Sequence, residues 1–142
     1  MPFSPSHRNM KTALSAILLV ASSVCHAAEP TFTAQFEACR EEAYNGGDPS
    51  SRIMCVNDEI KRQGALLDAA YKVALHAVPK ELQPKLREAQ RTWLKFSDQN
   101  CYFFHNPESM IAAEARTYCI MRMTAERKAE LVEIEAAAAG RG

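Results

Sequence analysis

Cys39, Cys55, Cys101 and Cys119 are the side chains of this sequence best equipped for covalent or metal chemistry. Cys101 and His105 lie four apart, a spacing that sets two ligands side by side on a helix face. With Cys119 and another cysteine they could form a zinc site. An oxidising compartment would instead consume these thiols as two disulfides, and that reading is favoured. The sequence has no Cys-x-x-Cys, no Gly-rich phosphate loop, and no serine placed recognisably with a histidine and a carboxylate. His76 falls near the end of a helical pattern and reads as a solvated or capping residue. The inventory therefore points to no metal, no cofactor and no enzyme.

The compartment follows from the N-terminal residues. Arg8 and Lys11 precede an apolar run from Ala13 to Val24, and small residues at Cys25 and Ala27 suit signal peptidase. Residues 1–27 are expected to be a signal peptide, with cleavage after Ala27. Either Met1 or Met10 could be the start, and Met10 gives the more ordinary signal. The apolar run is shorter than the ~20 residues that span a bilayer, so no membrane span is expected. Val24 is a poor neighbour for acylation of Cys25. Arg8 and Lys11 leave with the signal, so 17 basic residues fall to 15 against 17 acidic ones, a net charge near −2. That balance, without a basic cluster, argues against nucleic acid as a partner.

The remaining chain reads as one helical domain at 28–135, with a tail at 136–142 expected to fray. A short helical piece runs from Thr33 to Tyr44, followed by Asn45-Gly46-Gly47-Asp48-Pro49 as a loop. Asp48 or Ser50 would cap the helix after it. One apolar or small stripe falls at Val56, Ile60, Gly64, Leu67, Tyr71, Leu75 and Val78, and a second at Leu82, Leu86, Ala89, Trp93, Phe96 and Phe104. A third is less regular: Ile111, Ala115, Tyr118, Cys119, Met123, Leu131 and Ile134, broken by Arg127. Pro79 and Pro84 place the second long helix near Lys80, and Asn106-Pro107-Glu108-Ser109 separates the second from the third. The expected fold is all-α: three main helices, a short N-terminal helix, and two disulfides.

Folding the first two long helices about position 78 sets Cys55 opposite Cys101, a bond closing about 46 residues and worth ~4 kcal/mol. Cys39–Cys119 would then be the second bond. The rival connectivity is local, Cys39–Cys55 with Cys101–Cys119. The favoured register also sets Gly64 opposite Trp93, so the glycine is expected to make room for the indole. Leu67, Tyr71, Trp93 and Phe96 are the expected structural core.

Cys55, Glu59, Leu67-Asp68, Tyr71, Ala89-Gln90-Arg91-x-Trp93, Phe96, Asp98, Cys101, Cys119, Thr124 and Arg127 together resemble the LprI-like N-terminal domain family of lysozyme inhibitors, small secreted helical proteins. The resemblance extends from Cys39 to Leu131. Gly64 stands where members usually carry aspartate, and Ser97 where they carry the arginine of an Arg-Asp pair. His105-Asn106-Pro107-Glu108 replaces a Gly-Gly-Ser stretch. The resemblance implies a protein partner, a lysozyme, blocked by occlusion of its sugar cleft. The alternative is a structural or adaptor module of the cell envelope that binds another protein. Either way a periplasmic or secreted location is expected. The expected contact is an irregular polar segment, either Tyr44 to Pro49 or, by preference, His105, Asn106, Pro107, Glu108 and Ser109 beside Cys101. Glu59, Asp68, Gln90, Asp98 and Arg127 are candidates for a polar network, with Asp98 reaching Arg127; solvated faces and structural ion pairs are the favoured explanation.

Overall fold

The computed structural model describes residues 30–46, 49–106 and 108–140. The expected signal peptide, Gly47, Asp48 and Pro107 lie outside the described residues. Four helices account for the fold: α1 (Ala34–Gly46), α2 (Pro49–Ala77), α3 (Gln83–Tyr102) and α4 (Met110–Ala139). No strand occurs among the described residues, so the all-α expectation holds.

Local chemistry sets the helix starts. Thr33 Oγ1 accepts a hydrogen bond from Phe36 N at 3.3 Å, which satisfies a free donor in the first turn of α1. Pro49 opens α2, and α3 carries Pro84 in its first turn, where proline costs no hydrogen bond. Ser109 caps α4, accepting from Ala112 N at 3.3 Å.

The helix directions follow from the contacts. Arg52 near the start of α2 reaches Glu114 near the start of α4, and Leu67 clusters with Leu131 further along. α2 and α4 therefore run parallel. α3 descends antiparallel to α4, with Leu86 beside Leu131 at one end and Cys101 bonded to Cys119 at the other. α4 is the central element. Met121 packs with Phe36, Ala43 and Val56 from α1 and α2, whereas Met123 packs with Cys101 from α3. A helix covered on two sides shows no single apolar stripe, which is why its sequence pattern is irregular.

Several expectations are corrected by this arrangement. The disulfides are Cys39–Cys55 and Cys101–Cys119, not Cys55–Cys101 and Cys39–Cys119. The buried face of α2 is occupied by α4, so α3 does not pair with α2 along its length in the manner the register about position 78 requires. Gly64 does not make room for Trp93: a Cβ built there meets nothing within 4 Å. Trp93 is half-buried against the Leu67 and Cys101 clusters instead. Phe96 is 55% exposed and outside the core, whereas Leu67 is buried and Tyr71 packs against its cluster. Ile111 and Tyr118 are also exposed. Residues 136–139 continue α4 rather than fraying, because a run of alanines favours helix and Ala138 packs on the Leu67 cluster.

Candidate functional site

Because α2 and α4 run parallel, their first turns meet at one end of the bundle. The last turn of α1, the first turn of α2, the α3–α4 connection and the start of α4 all gather there. Arg52 Nε donates to both carboxylate oxygens of Glu114, at 3.0 and 3.2 Å, and its guanidinium lies 5.1 Å from the ring centroid of Tyr44. Both disulfides staple hairpins that turn at this end. Of the first segment singled out by sequence, residues 44–46 belong to α1 and Pro49 to α2, and Gly47 and Asp48 lie outside the described residues. The second, residues 105–109, joins α3 to α4 at this same end.

The α3–α4 connection is held by its own hydrogen bonds. Phe104 N donates to Cys101 O at 3.2 Å, His105 N to Tyr102 O at 2.8 Å and Ser109 N to Asn106 O at 3.2 Å. Asn106 Oδ1 accepts from Glu108 N at 3.0 Å, and the His105 ring stacks on Tyr102 with centroids 5.2 Å apart. Cys101, at the end of α3, is fully buried and bonded to Cys119 of α4, which ties together the two helices that the connection joins. A cleft of about 300 Å³ opens beside it, lined by His105, Glu108, Ser109, Met110, Arg116 and Thr117.

Alongside the exposed polar residues His105, Asn106 and Glu108, the connection and its flanks display large apolar side chains. Phe103 is 89% exposed and Ile111 79%, with Tyr102, Phe104 and Met110 exposed around them. Several large exposed apolar side chains close in sequence at one connection are a feature of binding surfaces. Sequence reasoning chose the polar residues of the segment and missed its aromatic neighbours. The signal was present in Tyr102-Phe103-Phe104: three consecutive aromatics at a helix end cannot all turn toward one core face.

The expected polar network divides into separate parts. Glu59 is fully buried and accepts from Thr33 N at 2.8 Å, Gln63 Nε2 at 2.7 Å and Arg62 Nε at 2.8 Å, as well as from the Thr33 hydroxyl. Burial pushes its carboxyl up. The hydrogen bonds from the Thr33 side chain, Gln63, Arg62 and the Thr33 amide outweigh that and hold it below the usual glutamate value. Gln63 Nε2 also reaches Thr31 O at 3.2 Å, so the cluster ties the segment before α1 to α2. Arg127 donates to Gln90 Oε1 at 3.0 Å and to Glu130 at 2.7 Å. Asp98 does not reach it. Asp98 lies 3.6 Å from Arg116 instead, at the loop end of α3, about two helical turns from Gln90. Asp68 is exposed and joins no hydrogen bond or ion pair among the described residues. These groups are structural cross-links, and no cluster of His, Cys, Asp or Glu among the described residues could hold a metal ion.

No curated protein and no solved structure matches the chain. The model of one family does, that of the lysozyme inhibitor LprI, over residues 28–131. That span takes in α1 to α3 and most of α4, both disulfides and the exposed aromatic connection. The chain therefore belongs to the LprI lysozyme-inhibitor family.

Proposed function

We propose that this protein is an exported, non-enzymatic inhibitor that blocks a lysozyme by placing its α3–α4 connection in the enzyme's sugar cleft. The observation that carries the reading is the apolar display of Phe103 and Ile111 on a connection fixed by the Cys101–Cys119 bond. An inhibitor has to protrude and to lose little conformational freedom on binding, and a stapled, internally hydrogen-bonded loop meets both demands. Exposed aromatics supply the large rigid contacts that dominate protein interfaces, while His105 and Glu108 supply polar contacts at the edge. The disulfides and the family both fit a periplasmic or extracellular setting.

The test is inhibition of c-type, g-type and i-type lysozymes by the mature protein. It is run with wild type, a Phe103→Ser/Ile111→Ser variant and a His105→Ala/Glu108→Ala variant. Inhibition of at least one class is expected, with the apolar double variant weakened by more than tenfold and the polar one by less. Absence of inhibition and of binding at micromolar concentration across all three classes would remove the reading and leave an envelope adaptor module that uses the same surface.

A further inference from the structure

We infer that a second recognition site, a seat for an arginine or lysine side chain of a protein partner, lies in the cleft between α1 and α2. This cleft, about 440 Å³, is lined by Cys39, Glu42, Ala43, Met54, Cys55 and Asp58 among others. Its floor is apolar: the Cys39–Cys55 bond, Ala43 and the exposed thioether of Met54. Its rim is acidic. Glu42 is exposed and makes no hydrogen bond or ion pair among the described residues. Among the described residues Asp58 is bridged only to Lys61 on the same helix, at 2.8 Å, with both side chains mostly in water. Such a surface pair is weak and leaves the carboxylate free to share.

Backbone electrostatics favour the same ligand. α1 ends at Gly46 beside this cleft and has no basic residue in its last turn. Its last carbonyls are the negative end of the helix dipole, where a cation is stabilised. The start of α2 opposes part of that field. The nearby Arg52 is engaged with Glu114 and Tyr44 on the α4 side rather than with Glu42. A long cationic side chain matches the combination, because its methylene stem lies along apolar surface while its head stays at the polar rim. Gly46 and Ser51 bring the lower part of the cleft to the end of the bundle where α4 begins. The inference goes beyond the inhibitory reading and does not require it.

The experiment is a titration of the full mature protein, followed by amide chemical shifts. The probes are the capped tripeptides acetyl-Gly-Arg-Gly-amide, acetyl-Gly-Lys-Gly-amide and their neutral Gln counterpart. Saturable shifts confined to Ala43, Gly46, Met54 and Asp58 are expected with the Arg and Lys peptides and not with Gln. The relative strength of the first two tells which cation is preferred. Glu42→Gln, which alters an exposed side chain, should weaken binding about five- to tenfold, a loss of roughly 1–1.4 kcal/mol. Equal shifts with the neutral peptide, non-saturating shifts spread over every acidic surface, or a Glu42→Gln variant that binds unchanged would each overturn the inference. None of these readouts involves lysozyme, so the outcome is independent of whether the inhibitor reading stands.

Discussion

Glu59 is the residue whose environment is most tightly specified. A carboxylate with no exposure is tolerated because every nearby donor is aimed at it. Glu59→Gln removes the charge and turns one of the two acceptor oxygens into a donor, which then faces either Thr33 N and Gln63 Nε2 or Arg62 Nε, and should cost about 2–4 kcal/mol at pH 7. The pH dependence has a definite sign. A carboxyl held below its unfolded value contributes stability above that value, about 4.3, and loses it as pH falls through the lower folded value. The difference between wild type and Glu59→Gln in urea melts should therefore shrink below about pH 4; a gap that widened on acidification would contradict this account. Gly64 is the opposite kind of residue. It sits inside α2 with open space around its Cα, so Gly64→Ala should stabilise the protein by about 0.5–1 kcal/mol through helix propensity alone. A calorimetric scan checks it, with a raised melting temperature expected.

The hairpins are the elements that the disulfides define. Each bond links helices adjacent in sequence, with separations of 16 and 18 residues, so each is worth about 3 kcal/mol in the chain-entropy model. Non-reducing peptide mapping should recover Cys39–Cys55 and Cys101–Cys119 peptides and no crossed pair. The bonds differ in access. Cys39 is partly exposed and lines an open cleft, whereas Cys101 and Cys119 are buried under the α3–α4 connection. Thiol exchange requires approach of the attacking thiolate, so Cys39–Cys55 should open first under limiting reductant. Timed alkylation and mass spectrometry would show it, and simultaneous opening would mean that reduction requires global unfolding.

At the scale of the molecule, two such bonds together supply about 6 kcal/mol against a typical total stability of 5–15 kcal/mol. Full reduction should therefore bring the mature domain close to its unfolding midpoint at 37 °C, read as loss of helical circular dichroism. The inhibitor reading belongs to this scale as well, since the proposed contact surface is formed where the Cys101–Cys119 bond joins the end of α3 to α4. Reduced protein should lose partner binding together with its helical signal, because the apolar display depends on the stapled connection.

The helices, their approximate ends and the oxidised state of the cysteines were determined by local pattern. Helical periodicity, the turn prolines and an even cysteine set act over a few residues and need no partner to be read. The family was legible for a similar reason, because its signature lies in local spacings such as Ala89-Gln90-Arg91-x-Trp93 before Cys101. Connectivity was decided by tertiary structure. Folding about position 47 aligns Cys39 with Cys55 just as readily as folding about position 78 aligns Cys55 with Cys101. The choice depends on which helix covers α2. The covering helix is α4, through Leu67 and Leu131 at one end and Val56 and Met121 at the other. For the same reason Phe96 and Ile111, apolar residues at core spacing, ended at the surface. Periodicity shows that a helix has an apolar face, but only packing decides which faces are covered.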